Sequence, residues 1–352
     1  MASENVTATK VMKESKNKIR VEFDRTPLAE RLKSKYISGY FLGRVAWYIF
    51  RLVLLIGVSY VILFPFYSKI ASSFMSPEDF VDVTVRLIPR YPTLSTYKAI
   101  ILENGYLKAL LNTFILSGTC ALIQTFVCSL VGYGFAKFKF KFNKFLFMLV
   151  VFTMIVPHST LQLSMFMEFR YFDVLGIMNL LGGGVVDWIN IIEDTSLNLV
   201  NTYWPLWILS ATALAFKNGL YIFMLRQFFS GIPDELEESA AVDGAGVFRT
   251  FIQIVLPNAI PMMITVFMFA FSWQWTDNFY TNTFFTTSGP TLMPDIVNIP
   301  TSLALNASAA STMYNTAIIN TCGILILVPL LILYCVGQKY IIQGIERSGI
   351  TG

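Results

Sequence analysis

The sequence predicts an all-α, polytopic membrane protein with six transmembrane helices and both termini in the cytoplasm. Composition and run length carry the fold prediction, and charge placement orients it. Of 352 residues, 55% are hydrophobic and only 14% charged, against about 45–50% and about 25% in a soluble domain. The apolar residues form continuous runs close to the ~20 residues a helix needs to cross ~30 Å of hydrocarbon. A membrane β-barrel would instead show alternating segments of ~10 residues. With the N-terminus inside, 18 of the 26 Lys and Arg residues fall in cytoplasmic segments and 6 in outer ones, while Arg51 and Lys217 fall within spans. Basic residues collect on the cytoplasmic side of membrane proteins.

Residues 1–45 read as a cytoplasmic tail and residues 46–352 as the membrane domain. Met1–Arg20 is Lys-rich and expected to be flexible. Over Pro27–Gly43 the apolar residues Leu28, Leu32, Tyr36 and Tyr40 recur every fourth position, which predicts an amphipathic helix on the inner surface. The first apolar run starts too late for a cleavable signal, so it is expected to stay as an anchor. The six spans are predicted at Trp47–Tyr67, Leu110–Phe135, Phe145–Phe166, Tyr203–Phe223, Ala259–Trp275 and Thr316–Val336.

Two basic residues fall inside these spans. Arg51 is expected to snorkel to the headgroups, and Lys217 either snorkels from span four or faces a pore. Three outer loops follow, about Ser68–Asn112, Glu168–Thr202 and Thr276–Tyr314; Val185–Asp194 in the second reads equally as a surface helix or a plain loop. Cys120, Cys128, Cys322 and Cys335 all lie in apolar runs and read as small buried hydrophobes. His158 has no Cys or carboxylate beside it, so it reads as a packed or pore-facing polar group rather than a metal ligand.

The segment 230–257 breaks the apolar pattern with an acidic, alanine-rich stretch. Pro233 suits a first helical turn, and Asp234, Glu235, Glu237 and Glu238 suit the positive end of a helix dipole. Ala240, Ala241 and Ala245 keep one side slim, and Gly244 with Gly246 permits a sharp turn. A second helix, Val247–Leu256, shows Phe248, Phe251, Ile252 and Val255 on one face and is expected to end at Pro257. The pattern predicts a helix–turn–helix finger in the cytoplasm. Its acidity runs against the positive-inside bias, so topology alone does not account for it.

Glu238-Ser239-Ala240, Asp243-Gly244-Ala245 and Ile254-x-Leu256-Pro257 resemble the EAA motif of the membrane subunits of bacterial ABC importers. The chain departs from it at Ser239, which stands for the first Ala of the motif. Weaker likenesses extend over most of the chain, including Asn112-Thr113-Phe114, Gly132-Tyr133-Gly134-Phe135-Ala136 and Leu225-Arg226-Gln227-Phe228-Phe229. Within that family it looks most like the smaller membrane subunit of the carbohydrate-uptake group, although the tail and the second outer loop, around Gly182–Val200, are longer than usual.

The resemblance implies the type I importer permease fold, with a homologous second permease subunit and two cytoplasmic ATPase subunits. It also implies an extracellular solute-binding lipoprotein. No G-x-x-x-x-G-K-[ST] loop occurs in the chain. ATP and Mg are therefore expected on the ATPase partners, with no cofactor on this chain, which is expected not to be an enzyme. The ATPase-coupling residues would be Glu238, Ser239, Ala240, Asp243, Gly244, Ala245, Ile254, Leu256 and Pro257, with Glu238 and Asp243 as polar contacts and Ala240 and Gly244 as points of close approach. Gln338–Gly352 is a second candidate contact.

The substrate path is expected near Trp273, Gln274, Trp275, Asp277, Asn278 and Phe279, with Trp204 in span four. Rings beside amides and carboxylates suit a sugar, and an interfacial aromatic belt fits the same residues equally well. Membrane lipid is the expected surrounding and no nucleic-acid partner is expected. The alternatives are an importer of a non-sugar solute and an ion-coupled secondary transporter. The latter normally carries paired ionisable groups deep in the membrane, and these spans hold no carboxylate to pair with Arg51, His158 or Lys217.

Overall fold

A computed structural model describes residues 10–14, 20–24, 39–173, 197–286, 289–304 and 309–349. The chain divides into two compact units, Met1–Ser68 and Lys69–Gly352. In the first, β1 (Lys10–Glu14) pairs antiparallel with β2 (Arg20–Asp24); residues 1–9 and 15–19 of the tail lie outside the described residues. Charged and apolar residues alternate in β2 but not in β1, and the register sets Lys10 opposite Asp24 and Glu14 opposite Arg20. Opposite charges across a strand pair favour pairing. Of the amphipathic helix expected over Pro27–Gly43, residues 25–38 lie outside the described residues and 39–43 open helix α1 (Gly39–Ser73).

The second unit is helical, and its first two helices are α2 (Ser95–Glu103) and α3 (Tyr106–Lys137). Among the described residues four helices are long and apolar enough to cross a membrane: Gly43–Ser73, Tyr106–Lys137, Val247–Trp275 and Ser311–Gly344. They contain the first, second, fifth and sixth predicted spans. The other two are broken.

Phe145–Phe166 is not one helix. It divides into α4 (Asn143–Ile155) and, after a 3-10 turn at His158–Leu161, α5 (Gln162–Arg170), bent by 91°. Pro157 accounts for the bend, since the residue before a proline is pushed out of helical space, and Val156 is extended at ψ 121°. Tyr203–Phe223 divides into α6 (Trp204–Ala211) and α7 (Asn218–Ser230). Ala213 and Lys217 between them hold left-handed backbone, φ 58° and 69°. No proline or glycine in 212–217 announces this break.

The finger helix α8 (Glu235–Val242) follows, then α9 (Val247–Thr250), α10 (Leu256–Trp275), α11 (Phe279–Phe284) and α12 (Ala309–Gly349). A π turn over Phe251–Val255 joins α9 to α10 without interruption. This corrects the expectation of a helix end at Pro257. The π turn carries a wider hydrogen-bond register, with Leu256 N–H reaching the Phe251 carbonyl, and that slack absorbs a residue with no N–H to give. Asn258 Nδ2 donates to the Ile254 carbonyl at 2.8 Å, meeting a neighbouring acceptor.

Helix α3 is the hub and packs on α6, α7 and α10. Without a hydrophobic drive between helices in lipid, close backbone approach supplies the packing energy. Gly132 provides it: a Cβ there would meet Arg226 N and Leu225 Cβ at 3.0 Å. Around this crossing Tyr133, Leu225, Phe229, Phe251 and Val255 form one core. Gly132→Val is therefore expected to overpack the crossing by about 1–3 kcal/mol. The unfolding midpoint in detergent should fall, and an unchanged midpoint would refute the close approach.

Candidate functional site

The finger folds as its sequence directs. Three glutamates occupy the first turn of α8, and the chain leaves the helix through Gly244 at φ 79°. Ala245 N–H reaches back to the Ala240 carbonyl at 2.9 Å and Gly244 N–H to Ala241 at 3.0 Å. That pair of bonds is a Schellman ending, which needs a left-handed residue after the last helical turn. Gly244 therefore serves the turn. No atom stands within 4 Å of where its Cβ would be, so close approach inside this chain is not its purpose. Gly246 is extended, with φ −71°.

Of the residues expected to couple, Glu238, Ser239 and Asp243 are exposed, as are Gly244 and Pro257; Ala245, Ile254 and Leu256 are half-buried. Ala240 is buried within this chain. The apolar face expected over Val247–Leu256 is divided. Phe251 and Val255 enter the core while Phe248 and Ile252 stay exposed, and Val242 and Val247 add exposed apolar surface at the tip.

Sequence reasoning missed what holds the finger. Lys137, the last residue of α3, has its side chain buried to 7% exposure. Its Nζ donates to the Ile232 carbonyl at 2.6 Å and to Asp234 Oδ1 at 2.5 Å, and lies 3.5 Å from Glu237 Oε1. Tyr133 Oη donates to Glu237 Oε2 at 3.3 Å, and the Tyr133 ring lies 4.8 Å from that of Phe251. A buried ammonium is tolerated only when paired and hydrogen-bonded, and here two hydrogen bonds and a second carboxylate at ion-pair distance meet it. The finger is thus fixed at its base to the end of a membrane-length helix. The available signal was a basic last turn on α3 followed ~97 residues later by acids, a separation that no periodicity reports.

A second site lies where the two broken spans face each other. A cavity of about 690 Å³ runs between α4–α5 and α6–α7, lined among others by Thr153, Pro157, His158, Met165, Phe216 and Lys217. Lys217 Nζ stands 4.5 Å from the Phe216 ring centre and 4.9 Å from that of Trp273. It precedes α7 in left-handed backbone and is not inside a helix, as span four was expected to place it. Such ring contacts contribute about 0.5–2 kcal/mol. His158 Nδ1 and Tyr280 Oη are 3.1 Å apart, and the His158 ring meets Phe216 edge-on at 4.9 Å. Irregular backbone at membrane depth survives only against protein or a cavity, and left-handed positions of this kind cluster at functional sites.

The aromatic cluster expected to line a substrate path separates into two groups. Trp273 is half exposed beside Lys217. Trp275 is fully buried, stacked on Phe271 at 5.5 Å with its Nε1 donating to the Ile326 carbonyl at 3.0 Å. It is a packing residue between α10 and α12, and a two-residue step around the helix separates the two roles. Asp277 caps α11, accepting from the N–H groups of Tyr280 and Thr281 at 2.9 and 3.1 Å. Gln274 and Phe279 are half-buried and Asn278 exposed. Trp204 packs edge-on against Trp207 at 5.4 Å and does not line the cavity.

A further device pins the loop after α11. Asn104 Nδ2 donates to the Ile296 and Asn298 carbonyls, Asn112 Nδ2 to Thr291, and Met293 N–H to Thr113 Oγ1. The start of α3 and the loop after α11 are thereby one piece.

A helical membrane protein with broken spans and a clamped acidic finger is the permease half of a transporter. The chain belongs to the family described as the binding-protein-dependent transport system inner membrane component, whose model matches residues 128–347. It is an ABC importer permease subunit and a multi-pass membrane protein. The polygalacturonan/rhamnogalacturonan transport system permease protein YtcP of Bacillus subtilis (strain 168) is 29% identical over 209 residues, 59% of this chain and 62% of that protein. The sn-glycerol-3-phosphate transport system permease protein UgpE of Yersinia pestis bv. Antiqua is 26% identical over 310 residues, 84% of this chain and 95% of that one. A crystal structure of a bacterial ABC transporter involved in import of the acidic polysaccharide alginate contains a chain of the same fold. The two share a TM-score of 0.61 and 16% identity, over 90% of this chain and 99% of that one.

The Lys137 clamp has two measurable consequences. Lys137→Met leaves Glu237 without its cation, and hydrogen exchange over 231–246 is expected to quicken about tenfold, or ~1.4 kcal/mol. Unchanged exchange would refute the clamp. The Lys137 hydrogen bond, and then its charge, hold the Asp234 carboxyl below its ordinary value. A depressed carboxyl stabilises above its unfolded value, about 3.9, and the contribution fades as pH falls through the folded one. Protection of the finger, corrected for intrinsic rates, is expected to hold down to about pH 5 and weaken below about pH 4. Lys137→Met should lose that acid dependence.

Proposed function

We propose that this permease subunit forms one half of a translocation path for an oligosaccharide and is driven through its finger by separate ATPase subunits. In this reading residues 46–352 are the permease domain, and α6 with α7 makes a discontinuous fourth crossing among six. Both termini are cytoplasmic, residues 1–45 form the tail, and segment 230–257 is the coupling element. A homologous second permease completes the path, a solute-binding lipoprotein delivers cargo from outside, and ATP and Mg stay on the ATPase partners.

The observation that carries the reading is mechanical. The finger is fixed to α3 by Lys137 and runs through its glycine turn into 29 helical residues, Val247–Trp275, without a break. At ~1.5 Å per residue that helix is roughly 43 Å long. A push on Glu238, Ser239 or Asp243 would reach Trp273 at the far end as motion of a rigid rod. Two discrete arrangements of the rod suffice to open and close a path. The carbohydrate class draws support from the relatives named for polygalacturonan and alginate. A relative named for glycerol phosphate, similar along 95% of its length, favours a second reading in which a phosphate ester is carried.

Gly244→Leu tests the coupling role. A leucine held at φ 79° costs about 1–2 kcal/mol and disrupts the turn, so ATP-driven uptake is expected to disappear while the subunit still inserts. Retained uptake would overturn the proposal. A reporter after Gly352 tests the topology and is expected in the cytoplasm.

A further inference from the structure

The cavity at the two helix breaks holds a cation whose hydrogen-bonding capacity is unspent. Lys217 is half-buried, and its ammonium rests over two ring faces. Rings attract the charge but accept none of its three N–H donors in the ordinary sense. Among the described residues no carboxylate lies within ion-pair distance of Lys217, and Nζ has no hydrogen-bond acceptor. Asp277, four residues after Trp273, directs Oδ2 at the N–H groups of Tyr280 and Thr281. The other titratable group on the wall, His158, is a base, with Nδ1 engaged by Tyr280 and no partner for Nε2 among the described residues. The wall is thus electropositive beside a hollow large enough for one sugar ring.

We propose that Lys217 is a specificity-determining residue that receives an anionic group, carboxylate or phosphate, on the transported saccharide, with Trp273 flanking it. This deepens the permease reading and rests on it. A neutral sugar would leave the ammonium facing the hollow without an acceptor, whereas an anion completes a charge-assisted pair. Anchoring the residue in left-handed backbone between α6 and α7, and not on a regular helix, lets the same ammonium move when the broken span moves.

The test uses the intact complex of this chain with its partner subunits, without binding protein, in phosphatidylcholine nanodiscs. The probes are radiolabelled trigalacturonate, its methyl ester and glucose 1-phosphate. Wild type is expected to bind trigalacturonate about tenfold more tightly than the ester. Lys217→Gln should erase that preference and Lys217→Arg keep it, with ester affinity changed little in either. Tighter binding of glucose 1-phosphate than of trigalacturonate would assign the anion as a phosphate. Equal binding of acid and ester by wild type, or a preference that survives in Lys217→Gln, overturns the proposal. So does loss of acid binding in nanodiscs containing phosphatidylglycerol, which would give the ammonium to a lipid headgroup. ATP-driven uptake of the ester into vesicles, found together with equal binding, keeps the importer reading while this proposal falls. No ATP-driven uptake of either saccharide overturns both.

Discussion

The burial of one ammonium organises the finger end of this protein. Lys137 is carried under the finger by the last turn of α3, where water is scarce. There it must find acceptors or impose a cost of several kcal/mol. The Ile232 carbonyl, Asp234 and Glu237 provide them, and all three belong to the approach and first turn of the finger. The acids that seem misplaced by the positive-inside rule are thereby split in function. Asp234 and Glu237 hold the finger to its own chain, while Glu235 and Glu238 remain free to face outward.

A second constraint, continuity of backbone hydrogen bonding, sets where the molecule is stiff and where it yields. The passage from finger to membrane contains a proline, which would normally end or kink a helix. A π turn and the Asn258 side chain absorb it, so α9 and α10 act as a single rod. The third and fourth spans do the opposite. They bend at Pro157 and unwind over 212–217, and the irregular backbone of both faces the same cavity. The helix runs unbroken from the finger to Trp273, with Pro261 also inside it, and the breaks lie in the walls beside it.

Much of this was legible in the sequence. Run length and composition gave the four intact spans, and the order Pro233, acids, Gly244 gave the finger and its turn. Other features were hidden for physical reasons. The break at 212–217 contains only residues with ordinary helical propensities apart from Thr212, and Ala213 and Lys217 adopt left-handed backbone because tertiary packing compensates them. Pro157 was visible, but a proline within an apolar run does not disclose a 91° bend. Trp273 and Trp275 look equivalent in sequence, yet α10 turns one toward Lys217 and the other into the contact with α12. Lys137 could not be matched to Asp234 by spacing, since their meeting is a product of the fold. The N-terminal strand pair was missed because β1 does not alternate and five residues are a weak signal beside a high charge density.

The account turns on the finger and the Val247–Trp275 helix moving as one body. Spin labels at Val242 and Thr276, and in a second sample at Val242 and Thr212, would measure this in the assembled transporter with and without bound ATP. The Val242–Thr276 distance is predicted to stay constant while the Val242–Thr212 distance shifts. A Val242–Thr276 distance that changes with nucleotide would mean the rod bends, and the finger could not drive the path in the manner described.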